Sequence, residues 1–165
     1  MKDADQTASA RRRARDMFRR AYRAQMSGDL EQAMNLYRSS IEVHPTSEAH
    51  TFLGWAHSFR REYDEAMNCC RAAIEIDPDF GNPYNDIGAY LIELGRWDEA
   101  RPWLRASLRA RRYRSYHFPH FNLGRIHERR LEFEAAELEY RQALRFQPRY
   151  EPARLALRRL LQRRN

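Results

Sequence analysis

The chain has 165 residues, 42% hydrophobic and 32% charged, with 30 Lys and Arg against 23 Asp and Glu and a net charge of +7. That is one domain's worth of chain; no apolar run reaches membrane-spanning length, and the polar stretch Met1 to Ala10 lacks the apolar core of a secretory leader. Its two cysteines, Cys69 and Cys70, are adjacent and make no disulfide framework, so a soluble, cytoplasmic protein is expected.

Apolar residues at helical spacing predict a first helix over 9–27. Ser27-Gly28-Asp29 ends it and caps the next, over 30–43, with Gln32 completing a capping box. The same reading predicts helices over 47–60, 63–76, 81–94, 97–110, 117–130, 133–146 and 150–163. Pro83, Pro102, Pro119 and Pro152 are each expected in a first turn, where a missing N–H costs nothing. No segment alternates as a strand does.

The helices repeat. A small residue stands at Ala21, Gly54, Gly88 and Gly124, at spacings of 33, 34 and 36. Twelve residues on is Ala33, Ala66, Ala100 or Ala136. Four further is Tyr37, Cys70, Leu104 or Tyr140, and three beyond that Ser40, Ala73, Ser107 or Ala143. Pro45, Pro78 and Pro148 then close three copies, and Arg112 stands in that slot in the third. Small residues at fixed offsets let two antiparallel helices cross closely, and the proline stops the second helix. One such hairpin cannot bury its own apolar face, so copies must stack.

This pattern resembles the tetratricopeptide-repeat family over roughly residues 14–148. The third copy is the best match, with Pro83-Tyr84-Asn85-Asp86-Ile87-Gly88-Ala89-Tyr90 followed by Leu94-Gly95-Arg96-Trp97-Asp98-Glu99-Ala100. The fourth, His120-Phe121-Asn122-Leu123-Gly124 through Ala136 and Tyr140 to Pro148, is nearly as good. The resemblance implies an all-α fold, a right-handed α-solenoid of antiparallel helix pairs. Its expected parts are an N-terminal basic extension of the first helix (1–13), repeats over 14–46, 47–80, 81–116 and 117–149, and a C-terminal capping helix over 150–165. The third repeat ends in an unusual join, Arg111-Arg112-Tyr113-Arg114-Ser115-Tyr116, expected to form a longer loop or an extended helix end. On the cap, Leu155, Leu157, Leu160 and Leu161 are expected to face the core, and Arg154, Arg158, Arg159, Arg163 and Arg164 the solvent.

The resemblance also implies a concave groove lined by the first helix of each repeat. Carried over slot by slot, the partner-binding residues would be Phe18, Tyr22 and Gln25, then Thr51, Trp55, Ser58 and Phe59. The third repeat would give Asn82, Asn85, Asp86, Ala89 and Ile92, and the fourth Phe118, Phe121, Asn122, Arg125 and Glu128. Large rigid rings suit binding anchors, and Asn85 and Asn122 could each grip a peptide backbone with a donor and an acceptor. One subclass of the family clamps a carboxylate with groove cations. The matching slots here are Phe18, Tyr22, Phe52, Asn82 and Asp86 in one frame, and Thr51, Trp55, Asp86, Phe118 and Asn122 in the other, so that ligand is not expected.

Reactive chemistry is not expected. His50 and His57, and likewise His120 and His127, occupy equivalent slots where the family packs aromatic rings. His117 and His120 have no Cys or carboxylate cluster at zinc spacing. No Gly-rich phosphate loop or nucleophile elbow occurs. Cys70 falls on a buried stripe, and Cys69 is expected to be partly exposed. The chain is therefore expected to be no enzyme, with no metal or cofactor.

Charge is unevenly spread. Residues 1–25 carry 8 bases and 3 acids, 26–100 carry 5 and 14, 101–114 carry 6 and none, and 145–165 carry 7 and 1. Such asymmetry speaks to partners rather than fold. The leading expectation is a protein-interaction scaffold or adaptor that binds a peptide or helix of a partner protein, the acidic middle favouring a basic one. Two alternatives stand beside it. Arg111, Arg112, Tyr113, Arg114 and Tyr116 could bind single-stranded RNA by pairing phosphate contact with stacking. The solenoid could also self-assemble into a homo-oligomer.

Overall fold

The computed structural model describes residues 2–164, and among these the chain forms nine helices: α1 Lys2–Met26, α2 Leu30–Val43, α3 Ser47–Phe59, α4 Tyr63–Ile76, α5 Asn82–Glu93, α6 Trp97–Arg109, α7 His117–Arg129, α8 Phe133–Phe146 and α9 Glu151–Arg164. The chain separates into two compact units, Met1–Pro78 and Asp79–Asn165. In the first, α1 packs on α2, α2 on α3 and α3 on α4. In the second, α5 packs on α6, α6 and α5 on α7, α7 on α8, and α8 on α9.

Local chemistry sets the helix ends. Asp29 accepts a hydrogen bond from Gln32 N at 3.0 Å and Thr46 one from Ala49 N at 3.1 Å, which satisfies an otherwise orphaned donor at the start of α2 and of α3. α4, α6 and α8 begin without a side-chain cap; acids in their first turns (Asp64 and Glu65, Asp98 and Glu99, Glu134) complement the helix dipole instead. The turn inside each helix pair has a residue at positive φ: Gly28 at 87°, Arg61 at 61°, Gly95 at 76° and Leu131 at 61°.

The small-residue rule is visible in the packing. Ala33, Ala66, Ala100 and Ala136 are fully buried. A Cβ placed on Gly54 would lie 2.8 Å from Ala66 O, and one on Gly124 2.5 Å from the Tyr140 ring. Ser40 Oγ donates to Ala14 O and Ser47 Oγ to Ala73 O, which ties helices together through buried hydroxyls.

Three expectations need correction. α1 starts at Lys2, well before residue 9, because Ala4 to Ala14 is rich in helix formers and holds no breaker. Pro102 lies five residues into α6, beyond the first turn, and removes a hydrogen bond to Asp98 O. Leu155 is 43% exposed; Ala153, Ala156, Leu157 and Leu160, at i, i+3, i+4 and i+7, are the stripe of α9 that packs. Arg159 and Arg163 lie on the exposed side of α9 as expected, and both also reach Glu128, at 3.2 and 3.5 Å. Arg164 lies outside the described side chains.

The join after α6 is a loop. It folds back on the segment before α5: Gly81 N donates to Arg112 O, Arg112 N donates to Asp79 O, and Phe80 and Arg112 form an isolated parallel β-bridge. The Tyr113 ring lies against Gly81, where any Cβ would come within 2.4 Å.

Candidate protein-binding interface

In the first unit, α1 and α3 bring together a run of rings. Phe52 is its hub. It meets Phe18 edge-on at 5.2 Å, Tyr22 at 5.7 Å and Trp55 at 5.7 Å, and Trp55 meets Phe59 at 5.4 Å. The spacing of Phe52, Trp55 and Phe59 places them on one face of α3. Phe18 and Phe52 also pack on the core around Tyr37, so this end is anchored. The other end is wet: Tyr22 is 42% exposed and Phe59 56% exposed. Such a row of fixed rings leaves a partly exposed apolar strip along α1 and α3.

Three residues expected beside these rings do not present themselves to a ligand. Thr51 is buried and donates its hydroxyl to Ser47 O at 2.8 Å. Gln25 is buried and accepts from Tyr37 OH at 2.8 Å. Ser58 turns its hydroxyl onto Trp55 O at 2.8 Å.

In the second unit, α5 and α7 supply the corresponding face. Phe118 is 40% exposed and Phe121 half-buried; Tyr150, from the turn before α9, packs edge-on against both at 5.6 and 5.5 Å. Arg125 lies 5.9 Å from the Phe121 ring centre and 5.4 Å from that of Trp97, and Arg129 also covers Trp97 at 5.1 Å. Arg125 further reaches Glu93 at 3.6 Å and Asn122 Oδ1 at 3.3 Å. Glu128 is a structural anchor: it accepts from Tyr140 OH at 2.8 Å besides its two arginines from α9. Ile92 is buried and packs inward, not outward.

Asn82 and Asp86 are half-buried, whereas Asn85 and Asn122 are buried. Asn85 Nδ2 donates to Asp86 Oδ1 at 3.3 Å, and Asn85 Oδ1 has no hydrogen-bond partner. Loss of solvent pushes the Asp86 carboxyl from 3.8 to about 7, against the opposing effect of the Asn85 hydrogen bond. A desolvated acid beside an unsatisfied amide oxygen can receive a cationic or N–H-bearing group.

The Arg/Tyr join is not the open platform its sequence suggested. Tyr113 is buried, its ring on Gly81 and edge-on to Tyr116 at 5.5 Å, so it offers no face to a base. Arg112 lies over Phe80 at 5.2 Å and Arg111 faces Asp79 at 3.8 Å. Arg114 is exposed, and Tyr116 is half-buried against Phe146.

Three of the six histidines pair with glutamates. His57 Nδ1 contacts Glu62 Oε2 at 2.6 Å, His127 Nδ1 contacts Glu132 Oε2 at 2.5 Å, and His120 pairs with Glu139 at 2.7 Å while stacking on Phe146. Burial lowers the His50 and His117 pKa values below the usual range. Among the described residues no group of three or more His, Cys, Asp or Glu could hold a metal ion. Cys70 is buried, and burial pushes the Cys69 thiol up to about 11, opposed by Arg38, so little reactive thiolate forms near neutral pH.

Sequence reasoning left Phe52, Tyr150 and Trp97 out of the expected partner-binding residues, with Phe52 appearing only as a slot of the carboxylate clamp and Trp97 only as part of the repeat motif. Phe52 was readable from its spacing to Trp55 and Phe59. Tyr150 shares a Pro-x-aromatic pattern with Phe80, each two residues after a repeat-closing proline. Nothing local marked Trp97 as a seat for two arginines that come from α7.

Antiparallel helix pairs closed on small residues, repeated in tandem, define an all-α helical-repeat protein of the α-solenoid class. A model described as tetratricopeptide repeat matches residues 47–80, and a second of the same description matches residues 69–101. Over residues 47–101 the chain thus carries tetratricopeptide repeats. The small glutamine-rich tetratricopeptide repeat-containing protein 2 of Saccharomyces cerevisiae is 32% identical over 94 residues, 56% of this chain and 27% of that protein. Its counterpart in Mycosarcoma maydis is 32% identical over 80 residues, 47% of this chain and 22% of that protein. The chain thus spans about a quarter of the length of these curated relatives. Among solved structures, Pseudomonas aeruginosa PilF superposes with a TM-score of 0.85 at 22% identity, over 96% of this chain and 70% of that one. YrrB, described as a TPR protein with an unusual peptide-binding site, gives 0.66 at 16% identity over 90% and 76%. At these identities the likeness is one of fold. Among the described residues no helix is long and apolar enough to cross a membrane.

Proposed function

We propose that the chain is a protein-interaction scaffold that captures a peptide or helix of a partner protein on the ring-lined faces of its first helices. The observation that carries this reading is the run Tyr22, Phe52, Trp55 and Phe59, fixed edge-on at its core end and exposed at the other. Such rings gain affinity without losing many rotamers on binding. In the second unit Phe118 and Phe121 offer an apolar anchor and Asp86 an acid, which suits a partner segment carrying both an apolar residue and an Arg or Lys. The relation to a solved repeat protein with a peptide-binding site supports the same class of ligand.

The test is affinity capture with mass spectrometry, comparing wild type with a Trp55→Ala, Phe121→Ala double variant. The variant is expected to stay folded by circular dichroism, since both rings are partly exposed, and to lose the captured partners. An unchanged capture profile would overturn the assignment of these faces.

A further inference from the structure

α1 is much longer than its partner. Its 25 residues make a helix about 37 Å long, whereas the 14 of α2 reach about 21 Å. The two run antiparallel, and Ser40 Oγ donates to Ala14 O at 2.8 Å. α2 therefore ends near the level of Arg11, and the start of α1 overhangs it. Beneath the overhang, between α1, the end of α2 and the start of α3, lies an open cavity of 1060 Å³.

Its chemistry is polarised. Ala14 and Phe18 form an apolar floor, and Arg11, Arg12, Arg15 and Arg19 stand around it. All four guanidinium side chains are exposed, and among the described residues none makes an ion pair. Glu48 is the single acid in the lining, and His44 adds a further titratable group. Arg11, Arg15 and Arg19 stand four apart, so like charges face each other along one side of α1. That arrangement lowers helix stability slightly. An anionic occupant would reverse that effect.

We propose that this cavity is a second docking site, next to the ring-lined face of the first unit and sharing Phe18 with it, which receives an acidic amphipathic helix of a partner protein. Carboxylates of the partner pair with Arg11, Arg12, Arg15 and Arg19, and an apolar side chain enters against Ala14 and Phe18. At 1060 Å³ and open to solvent, the cavity is wide enough to admit a chain segment. Nucleic acid fits less well. The one Phe, Tyr or Trp ring in the lining is Phe18, and it is engaged by Tyr37 at 5.6 Å and Phe52 at 5.2 Å, which leaves His44 alone to stack a base and provides no platform of successive rings. A membrane surface fits less well again: among the described residues, no large apolar residue of α1 before Tyr22 is exposed, and interfacial helices need an apolar side to insert.

The probe is a fluorescein-labelled peptide of about eighteen residues, long enough to hold a helix, with Glu residues four apart flanking a Leu and Phe stripe. Anisotropy is measured on the full chain, on an Arg11→Ala, Arg15→Ala, Arg19→Ala variant, on Ala8→Trp, which fills the cavity from an exposed position, and on Trp55→Ala. The peptide is expected to bind wild type and Trp55→Ala alike, and to bind the triple variant and Ala8→Trp at least about tenfold more weakly. A scrambled peptide of the same composition is expected to lose about tenfold as well. Equal binding of the scrambled peptide, or by the triple variant, overturns the proposal. So does tighter binding of a uridine oligonucleotide or of phosphatidylserine vesicles that the triple variant loses. Concentration-dependent dimerisation lost in that variant would assign the cavity to a second copy of this chain and overturn it too. A loss confined to Trp55→Ala would place the acidic peptide on the ring-lined face, leaving the function proposed above intact and this site refuted.

Discussion

Arg61 and Leu131 hold φ at 61°, in the left-handed region that the equivalent Gly28 and Gly95 occupy freely. A side chain costs roughly 1–2 kcal/mol there. Both strained turns are bridged by a His–Glu pair, His57 to Glu62 and His127 to Glu132, while the two glycine turns carry Ala24 and Leu91 in the histidine slots. Arg61→Gly and Leu131→Gly should each stabilise the protein by about 0.5–1 kcal/mol after glycine's entropy is charged against the relief. Urea titration at constant slope checks this; a loss of stability would show that the side chains contribute contacts worth more than the strain. The acids carry opposite signs. Arg130, then His127, hold the Glu132 carboxyl down at about 2, so its contribution is present above its ordinary 4.5 and is lost as pH falls toward 2. Asp86 is raised to about 7, so the native state binds the extra proton and stability falls as pH rises from about 4 to 7. Asp86→Asn should therefore match wild type near pH 4 and exceed it near pH 8, by on the order of 2 kcal/mol once partial solvent screening is allowed for. It should also weaken capture of a basic peptide, the exchange of stability against binding that functional sites show. Thermal melts at the two pH values, with peptide anisotropy alongside, measure both effects. The Asp86 shift was not legible in the sequence, because it follows from burial in the folded chain, which places Asp86 within electrostatic reach of Tyr113.

Elements were more readable than residues. Helix boundaries came within a residue of the observed ones for α2 to α9, because caps, acids in first turns and repeat-closing prolines each act within a few residues. The misreadings arose where a distant partner decides. Leu155 looked like a core residue by type, yet the stripe that meets α8 runs through Ala153 and Ala156. Tyr113 looked like a solvent-facing ring, yet the join folds back on Gly81. Of the expected interface, the rings were readable because slots on a repeat are periodic; Gln25, Thr51 and Ile92 were not separable from them, since a turn of some tens of degrees about the helix axis moves a slot from face to core. The helix crossings permit a direct contrast. Gly124→Ala would drive a Cβ to within 2.5 Å of Tyr140, whose buried ring is pinned through its hydroxyl to Glu128. The loss should be about 1–3 kcal/mol from overpacking. Gly95→Ala meets nothing within 4 Å and loses only through its φ of 76°, about 1 kcal/mol. Removing the tyrosine hydroxyl separates the two mechanisms: Tyr140→Phe should soften the Gly124→Ala penalty and leave that of Gly95→Ala unchanged, as read by a double-mutant cycle.

At the scale of the whole chain, stability should be graded rather than uniform. Tandem repeats contact mainly their neighbours, so an end has one neighbour where a middle helix has two. The two ends are finished differently. α9 is held by Ala153, Ala156 and Leu160 against α8 and by Arg159 and Arg163 on Glu128. The start of α1 overhangs α2 and is lined by exposed arginines, so it has little to fold against in the free protein. Hydrogen exchange should therefore be fastest in α1 before Ala14, slow in α2, α3, α7 and α8, and intermediate in α9. Leu160→Ala removes a fully buried side chain and should cost about 2–4 kcal/mol locally. Its effect on exchange should be large in α9 and α8 and small in α2 and α3, because nearest-neighbour coupling decays along the array. Exchange followed by mass spectrometry reads every helix in one experiment. A uniform rise across all of them would mean the chain unfolds as a single cooperative block, and the overhang would then be as protected as the helices around it. Addition of the acidic amphipathic peptide supplies the complementary reading: protection should rise in α1 before Ala14 and at the end of α2, where the unpaired arginines gain their carboxylates.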